Sequence, residues 1–400
     1  MNATPLVPRG QGARNEVTRR HNLSTVLTLL HHEGAQPRSL LTSKTGLNRS
    51  TIGALVQELT ELGLAFESEP DPTRQVGRPS PIVQPDPRVV AFAANPEVDA
   101  ITVGVVGLGG EVLKSIRYET EEPPSVREYV GISSAIIAGL RGEFEAVGSV
   151  LGIGAAVPGL VRASDGLVRW APHLDWRDEP VAQLLAEATG LRVVAGNNAT
   201  VGASAEHVFG AGRGVSNLVY LNGGASGIGG AIIANGASLG GAGGYAGEFG
   251  HVRVDSSAGD GDVGVGSLES EVDRAELMDA LGLVVADADA FDRALAASTD
   301  PAVRKIVHRQ LGYLSTALRN AVNVLNPEVI VLGGFLASLY DFDPELLVEN
   351  VRRQSLEPSF EGVSITTATL RSDLLVIGAA ELAFAALLAD PSGVASAAAS

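Results

Sequence analysis

At Pro85 the hydrophobic period of this 400-residue chain changes, and that change limits its fold more than any other feature. Before Pro85, apolar residues recur three and four apart. Leu23, Val26, Leu27 and Leu30 share one helical face, and Ile52, Leu55, Val56, Leu59 and Leu62 share another. After Pro85, apolar residues come in short runs rich in β-branched side chains and bounded by glycine: VVAFAA, ITVGVVGLGGEVLKSIRYE, VLGIGAAVPGLV, LRVVAG, LVYLNGGASGIGGAIIANG and VSITTATL. Helical patterns over 126–146, 181–189, 301–325 and 374–389 alternate with them. A helical unit followed by an α/β domain is the reading, with two strand groups split near residue 200 and a cleft between two lobes. The boundaries that follow are a polar arm over 1–14, a helical head over 15–85, an α/β body over 86–390 and a low-complexity tail over 391–400. Arm and tail are expected to be disordered.

The head has an order of its own. A first helix over NLSTVLTLLHH is followed by a short helix ending at Gly46, a tight turn, and a longer helix, TIGALVQELTELG, stopped by Gly63. LAFESE and SPIVQP then predict two strands around a turn holding Pro70, Pro72 and Gly77. This is the order of a winged helix-turn-helix. Such a motif places the N-terminal residues of its second helix against base edges in the major groove. Those residues are Asn48, Arg49, Ser50 and Thr51. Arg78, in the wing sequence VGRPSP, suits a minor groove or phosphates. A small helical bundle that binds protein is the alternative.

Charge is divided in the same place. Lys and Arg outnumber Asp and Glu by nine to seven over 1–85, whereas the remaining 315 residues carry 20 and 39. The body repels nucleic acid, so DNA contact belongs to the head. Cysteine is absent, which excludes disulfides and thiolate metal sites. LLVIGAAELAFAALLA is 16 residues long and contains Glu381, so it predicts a buried helix rather than a membrane span. No signal-peptide pattern opens the chain, and the expected location is the cytoplasm.

The run VVAGNNATVGASAEHVFG places Asn197 and Asn198 between an apolar strand and a helix, where an α/β fold holds ligands. Asparagine donates and accepts hydrogen bonds but does not take a proton at neutral pH. Helix capping is the other use of such a pair. Together with AAVPGLV, APHLDW, GNNATVGASAEHVFGAGRG, GGASGIGGAI, GGYAGEFGH, SLESE and VIVLGGFLA, in this order, the chain resembles the ROK family (repressors, open reading frames and sugar kinases) over about residues 15–390. Among its members the resemblance is to regulators with an N-terminal winged helix. The fold this implies is the two-lobed, actin-like sugar-kinase fold, with sugar and nucleotide in the cleft.

The resemblance also exposes three departures. Kinases of the family carry an Asp that accepts the sugar hydroxyl's proton, and Asn198 stands in its place. Their first phosphate loop, of Asp-Gly-Gly-Thr type, is missing from AFAANPEVDA. GGASGIGGAI is then read as a β-turn of the fold, and Gly333 and Gly334 as packing positions. The family's structural zinc uses a His and three Cys. Here His251 is followed by Asp260, Asp262 and Ser267, a poor donor set for zinc, so no metal or other cofactor is expected.

What the resemblance retains is a sugar face. Glu248, His251 and Glu269 match the family's hydroxyl-binding residues, with Asn197 and Asn198 beside them. Surface charge for the two Glu and a buried structural role for His251 are the alternative. Trp170, Trp176 and Tyr245 are candidates to stack on a sugar ring. His173 replaces an Asn common in the family, and His207 and His308 read as helix-packing residues. The function implied is a sugar-responsive repressor without kinase activity, binding operator DNA as a homodimer or dimer of dimers and answering a sugar such as xylose or N-acetylglucosamine. A kinase with a DNA-binding head, and a DNA-binding protein whose body is only a dimerisation scaffold, are the rival readings.

Overall fold

The structure, a computed structural model, describes residues 11–69, 80–224, 227–257, 264–283 and 288–398. The head contains α1 (Gln11–Glu33), β1 (Gln36–Pro37), α2 (Arg38–Thr45), α3 (Arg49–Glu61), β2 (Ala65–Ser68) and β3 (Ile82–Pro85). Its strands form an antiparallel sheet in the order β1-β3-β2. α2 stops at Gly46, whose φ of 70° suits a residue without Cβ. α3 starts on the Asn48 side chain, which accepts from the Thr51 N–H at 2.9 Å. One boundary differs from expectation. α1 already begins at Gln11, and Glu16 pairs with Arg19 and Arg20 at 2.8 and 3.0 Å, the spacing at which ion pairs support a helix.

The first lobe carries β4 (Val89–Pro96), β5 (Ala100–Gly107), β6 (Val112–Glu119), α4 (Val126–Glu145), β7 (Ser149–Val157), β8 (Leu160–Val161), β9 (Val168–Ala171), β10 (Trp176–Glu179), α5 (Val181–Thr189), β11 (Val193–Asn197) and α6 (Asn198–Phe209). Its main sheet runs β11-β7-β4-β5-β6, and β8, β9 and β10 form a small one. The second lobe carries β12 (Leu218–Gly224), β13 (Gly227–Ala234), β14 (Ala237–Ser238), α7 (Leu268–Glu271), α8 (Arg274–Ala280), α9 (Ala288–Ala297), α10 (Pro301–Leu325), β15 (Val329–Gly334), α11 (Phe335–Phe342), α12 (Pro344–Gln354), α13 (Glu357–Phe360) and β16 (Ser364–Thr367). Its sheet runs β14-β13-β12-β15-β16. Each sheet is therefore an antiparallel meander of three strands followed by two parallel strands on the far side, the same topology built twice.

Strand alternation sorts the core. On β4, Val90, Phe92 and Ala94 face α4 and α5, while Val89, Ala91 and Ala93 face α14 (Leu374–Ala389). On β12, Val219 and Leu221 face the helices of the second lobe, while Leu218 and Tyr220 face α6 and α14. α6 and α14 thus lie between the two sheets. The apolar run 374–389 is the buried helix its sequence predicted, with Val376, Ile377, Ala379, Ala380, Phe384 and Leu387 inside. The tail departs from expectation: α15 (Pro391–Ala398) is helical. Asp390 accepts from the Gly393 N–H at 3.2 Å, and Val394 packs on the core.

Head and body share one core. Leu23, Val26, Leu27 and Leu30 of α1 are contiguous with Val89, Val106, Phe384 and Leu387 of the body. A polar contact sits within that seam. His31 is fully buried, its Nδ1 accepts from the Gly109 N–H at 2.8 Å, and its Nε2 donates to Glu381 at 2.8 Å. Although His31, His32 and Glu381 bring three ligand atoms within 4.8 Å, the backbone N–H at Nδ1 keeps the proton on Nε2, where a metal would have to bind. Burial and the neighbouring His31 push the His32 imidazole down from 6.5 to about 4. The folded protein therefore holds His32 neutral where the unfolded chain binds a proton. Stability contributed by this site falls as pH drops from about 6.5 towards 4. Urea midpoints measured across that window should decline with acid, and His32→Gln should flatten the decline.

Candidate functional site

β11 ends in Asn197, whose side chain is largely used within the protein. Its Oδ1 caps α6 by accepting from the Ala199 and Thr200 N–H groups at 2.9 and 3.1 Å, and its Nδ2 donates to the Gly159 carbonyl at 2.8 Å. The next residue is freer. Asn198 Oδ1 also accepts from Ala199 N–H, at 2.9 Å, while its NH2 has no partner among the described residues. Asn197 is a staple between α6 and the turn after β7, and Asn198 is the amide that can meet a ligand.

β13 begins beside this helix start. A Cβ on Gly229 would fall 2.9 Å from the Ala199 methyl, so the strand passes close to the first turn of α6. One residue earlier, the Ile228 N–H donates to Glu269 at 2.8 Å. Gly227, at φ 100°, leaves the space that the same carboxylate fills. Glu269 is placed by the first turn of α7, which Ser267 caps. The short turn Phe249–His251 packs against β13, with Gly250 closing on the Ile228 carbonyl. Glu248, His251 and Glu269 are thereby grouped. Glu248 opens to solvent, yet the protein around it raises its carboxyl above the usual range; His251 pulls it down and Glu269 pushes it up. The alternative of a buried structural His251 does not hold, because the residue is exposed.

The aromatic candidates separate. Trp176 is 2% exposed, donates to the Pro124 carbonyl at 2.9 Å and packs on Tyr129, so it belongs to the core. Trp170 is 46% exposed, and its backbone lies against Gly159, the residue Asn197 holds. Tyr245 is on the glycine-rich segment after β14, where Gly244, at φ 90°, abuts Val161 and Ala163 of the first lobe. That segment therefore touches the first lobe. His173 is exposed on the turn before β10. His207 donates to the Val215 carbonyl, and His308 lies 3.1 Å from Asp343, so both have local structural partners.

The nucleotide side has different chemistry. β4 and β5 are joined by residues 97–99 alone. The Glu97 carboxylate accepts from Asn95 and Thr102 at 3.1 and 2.9 Å, and Asp99 pairs with Arg117 at 2.8 Å. The turn thus holds two carboxylates, both near Arg117, and no glycine. Of GGASGIGGAI, residues 223–224 end β12 and residues 227–232 lie in the antiparallel β13, with Gly224 opposite Gly227. Gly334 is a packing position: a Cβ would fall 1.9 Å from the Gly223 carbonyl. Of the residues at the family's zinc positions, Ser267 accepts from the Ser270 N–H as a helix cap, and Asp260 and Asp262 lie outside the described residues.

In the head, Asn48, Arg49 and Ser50 are exposed at the start of α3. Ser50 donates to the Asn48 Oδ1 at 2.7 Å, which ties both to the cap, while Arg49 has no partner among the described residues. Arg78 lies outside the described residues.

The model of the ROK family matches residues 98–386. The chain belongs to the ROK family. It is 27% identical to a putative xylose repressor of Caldicellulosiruptor sp., over 93% of this chain and 97% of that protein. It is 31% identical to a glucokinase of Halalkalibacterium halodurans, over 62% of this chain and 80% of that one. The crystal structure of a ROK family transcriptional regulator, a homologue of the E. coli MLC protein, superposes with a TM-score of 0.76 and covers 93% of this chain and 97% of its own, at 24% identity. The alignments to the putative xylose repressor and to the regulator structure, at 93% of this chain, extend into the head, whereas that glucokinase covers 62%. Sequence reasoning missed Gly159, Phe209 and the pair His31 and Glu381, because each acts through a contact between residues far apart in the chain. If the Glu248, His251 and Glu269 group holds sugar hydroxyls, Glu248→Gln should weaken sugar binding by about 10–100-fold, the worth of a hydrogen bond to a charged acceptor. Calorimetry on the two proteins measures the ratio.

Proposed function

We propose that this ROK protein is a sugar-responsive transcriptional regulator of repressor type, without kinase activity. The observation that carries the proposal is the joining, through one continuous core, of an exposed recognition-helix start to a body that keeps the sugar-side carboxylates and histidine. Asn48, Arg49, Ser50 and Thr51 are the residues proposed to reach base edges, with Arg78 on the wing. Glu248, His251, Glu269 and Asn198 are proposed to hold the sugar, and Asn197 to position Asn198. The putative xylose repressor aligned over nearly the whole chain supports a sugar such as xylose as effector.

Loss of kinase chemistry is supported from two sides. Asn198 cannot act as a general base, and the acidic turn at Glu97 and Asp99 cannot cradle phosphates. Phosphoryl transfer needs both a positioned nucleophile and stabilised charge on the transferred group. Binding as a homodimer in the cytoplasm completes the reading, since paired heads match a near-palindromic operator.

Two measurements test it. DNA selected from a random-sequence pool should give a defined site, and Arg49→Ala should weaken binding to it by about 5–100-fold. Recovery of no preferred sequence would overturn the regulator reading. In an assay of ADP production with glucose or xylose, both the protein and its Asn198→Asp variant should show no turnover above background. Sugar-dependent turnover by the unmodified protein would revive the kinase reading.

A further inference from the structure

α6 has one end in the proposed sugar site and the other against the head. Its N-terminus is Asn198, and Asn197 ties it to Gly159. The helix is 12 residues long, about 18 Å at 1.5 Å per residue, and ends at Phe209. The Phe209 ring meets the His31 ring edge-on, with centroids 5.4 Å apart and planes at 83°, and lies 6.5 Å from the His32 ring. It also lies on the backbone of Gly110, where a Cβ would fall 2.6 Å from the ring. Gly109, the preceding residue, donates to His31. Phe209 is thus wedged between the last turn of α1 and the β5–β6 turn of the first lobe.

The same end of α6 is fixed to the second lobe. Glu206 is fully buried, and its carboxylate accepts from the Thr369 and Leu370 N–H groups at 2.8 Å each and from the Ala211 N–H at 2.6 Å. Residues 369 and 370 lead into α14, which carries the Glu381 that His31 contacts. Charge-assisted bonds of this kind hold an element tightly. A shift at the first turn of α6 therefore has no slack at its last turn, and it arrives at a ring that touches the head.

We infer that α6 carries the state of the sugar site to the DNA-binding head, and that Phe209, through its contacts with His31, His32 and Gly110, is the side chain that delivers it. The inference rests on the sugar-site reading above. It makes Phe209 a coupling residue that touches neither sugar nor DNA. Coupling of this kind is shown by a two-way dependence between the ends of the element rather than by spatial proximity.

The test is a double-mutant cycle on the full chain, read by amide hydrogen exchange over residues 25–33 of α1. Asn197→Ala cuts the tie at the sugar end. It should speed exchange in that stretch by at least about five-fold, the lower end of typical coupling. In a Phe209→Ala background the same substitution should change the rate by less than about two-fold. Exchange over residues 329–332 of β15 should stay constant throughout. Equal effects of Asn197→Ala in both backgrounds, no effect on α1 in either, or equal acceleration in β15 would overturn the inference. Should Phe209→Ala fail to fold, Phe209→Leu retains bulk without the aromatic edge, and the same cycle with it should show a reduced but measurable coupling; full additivity there counts as failure. No sugar is added, so failure here leaves the sugar reading standing. Absence of D-xylose or D-glucose binding in separate calorimetry would count against that reading alone.

Discussion

The structure depends on how closely two helices approach the sheets on either side of them. α14 packs so tightly on β7 that a Cβ on Gly154 would fall 1.6 Å from the Ala379 carbonyl. It crosses α6 equally closely, where a Cβ on Gly378 would fall 2.3 Å from the Val201 carbonyl. Close packing of this density transmits displacement rather than absorbing it. The two helices between the lobes and the head docked on α14 share continuous packing with the body.

Much of this was legible in the chain. The change of period at Pro85 separated head from body, and Gly46 and Asn48 marked the turn and cap of the head. The faces of β4 and β12 could not be read, because both strands are buried on both sides and show no apolar-polar alternation. The run 374–389 read as buried because it is 16 residues long and holds Glu381, and in the structure Glu381 meets His31, 350 residues away. Sequence reasoning could not see that partner. Residues 391–398 read as disorder because they are mostly small. Alanine is also a strong helix former, and Asp390 supplies a cap. The helices between 268 and 297 and between 335 and 360 escaped because they are short and interrupted by Gly282, Pro344 and Pro358, which blur the 3.6-residue period.

The site was legible as a set of residue types, not as roles. Asn197 and Asn198 are neighbours of the same type, yet the first is committed to capping and to Gly159 while the second keeps its NH2 free among the described residues. Trp170 and Trp176 are likewise equivalent in a motif reading, but one is exposed and the other is core. In this fold an amide in place of a carboxylate removes a proton acceptor but leaves a hydrogen-bonding group of the same shape. A kinase cleft can be reduced in this way to a binding cleft without repacking the helix behind it.

The measurement that tests the account most directly is operator affinity of the full-length protein, by fluorescence anisotropy, across a panel of D-xylose, D-glucose and N-acetylglucosamine at fixed salt. The account predicts that at least one sugar changes the dissociation constant by about five-fold or more, consistent with a coupling of about 1–3 kcal/mol between the cleft and the head. Identical affinity with every sugar, from a protein that still binds its operator, would contradict it and leave the body as a scaffold for dimerisation.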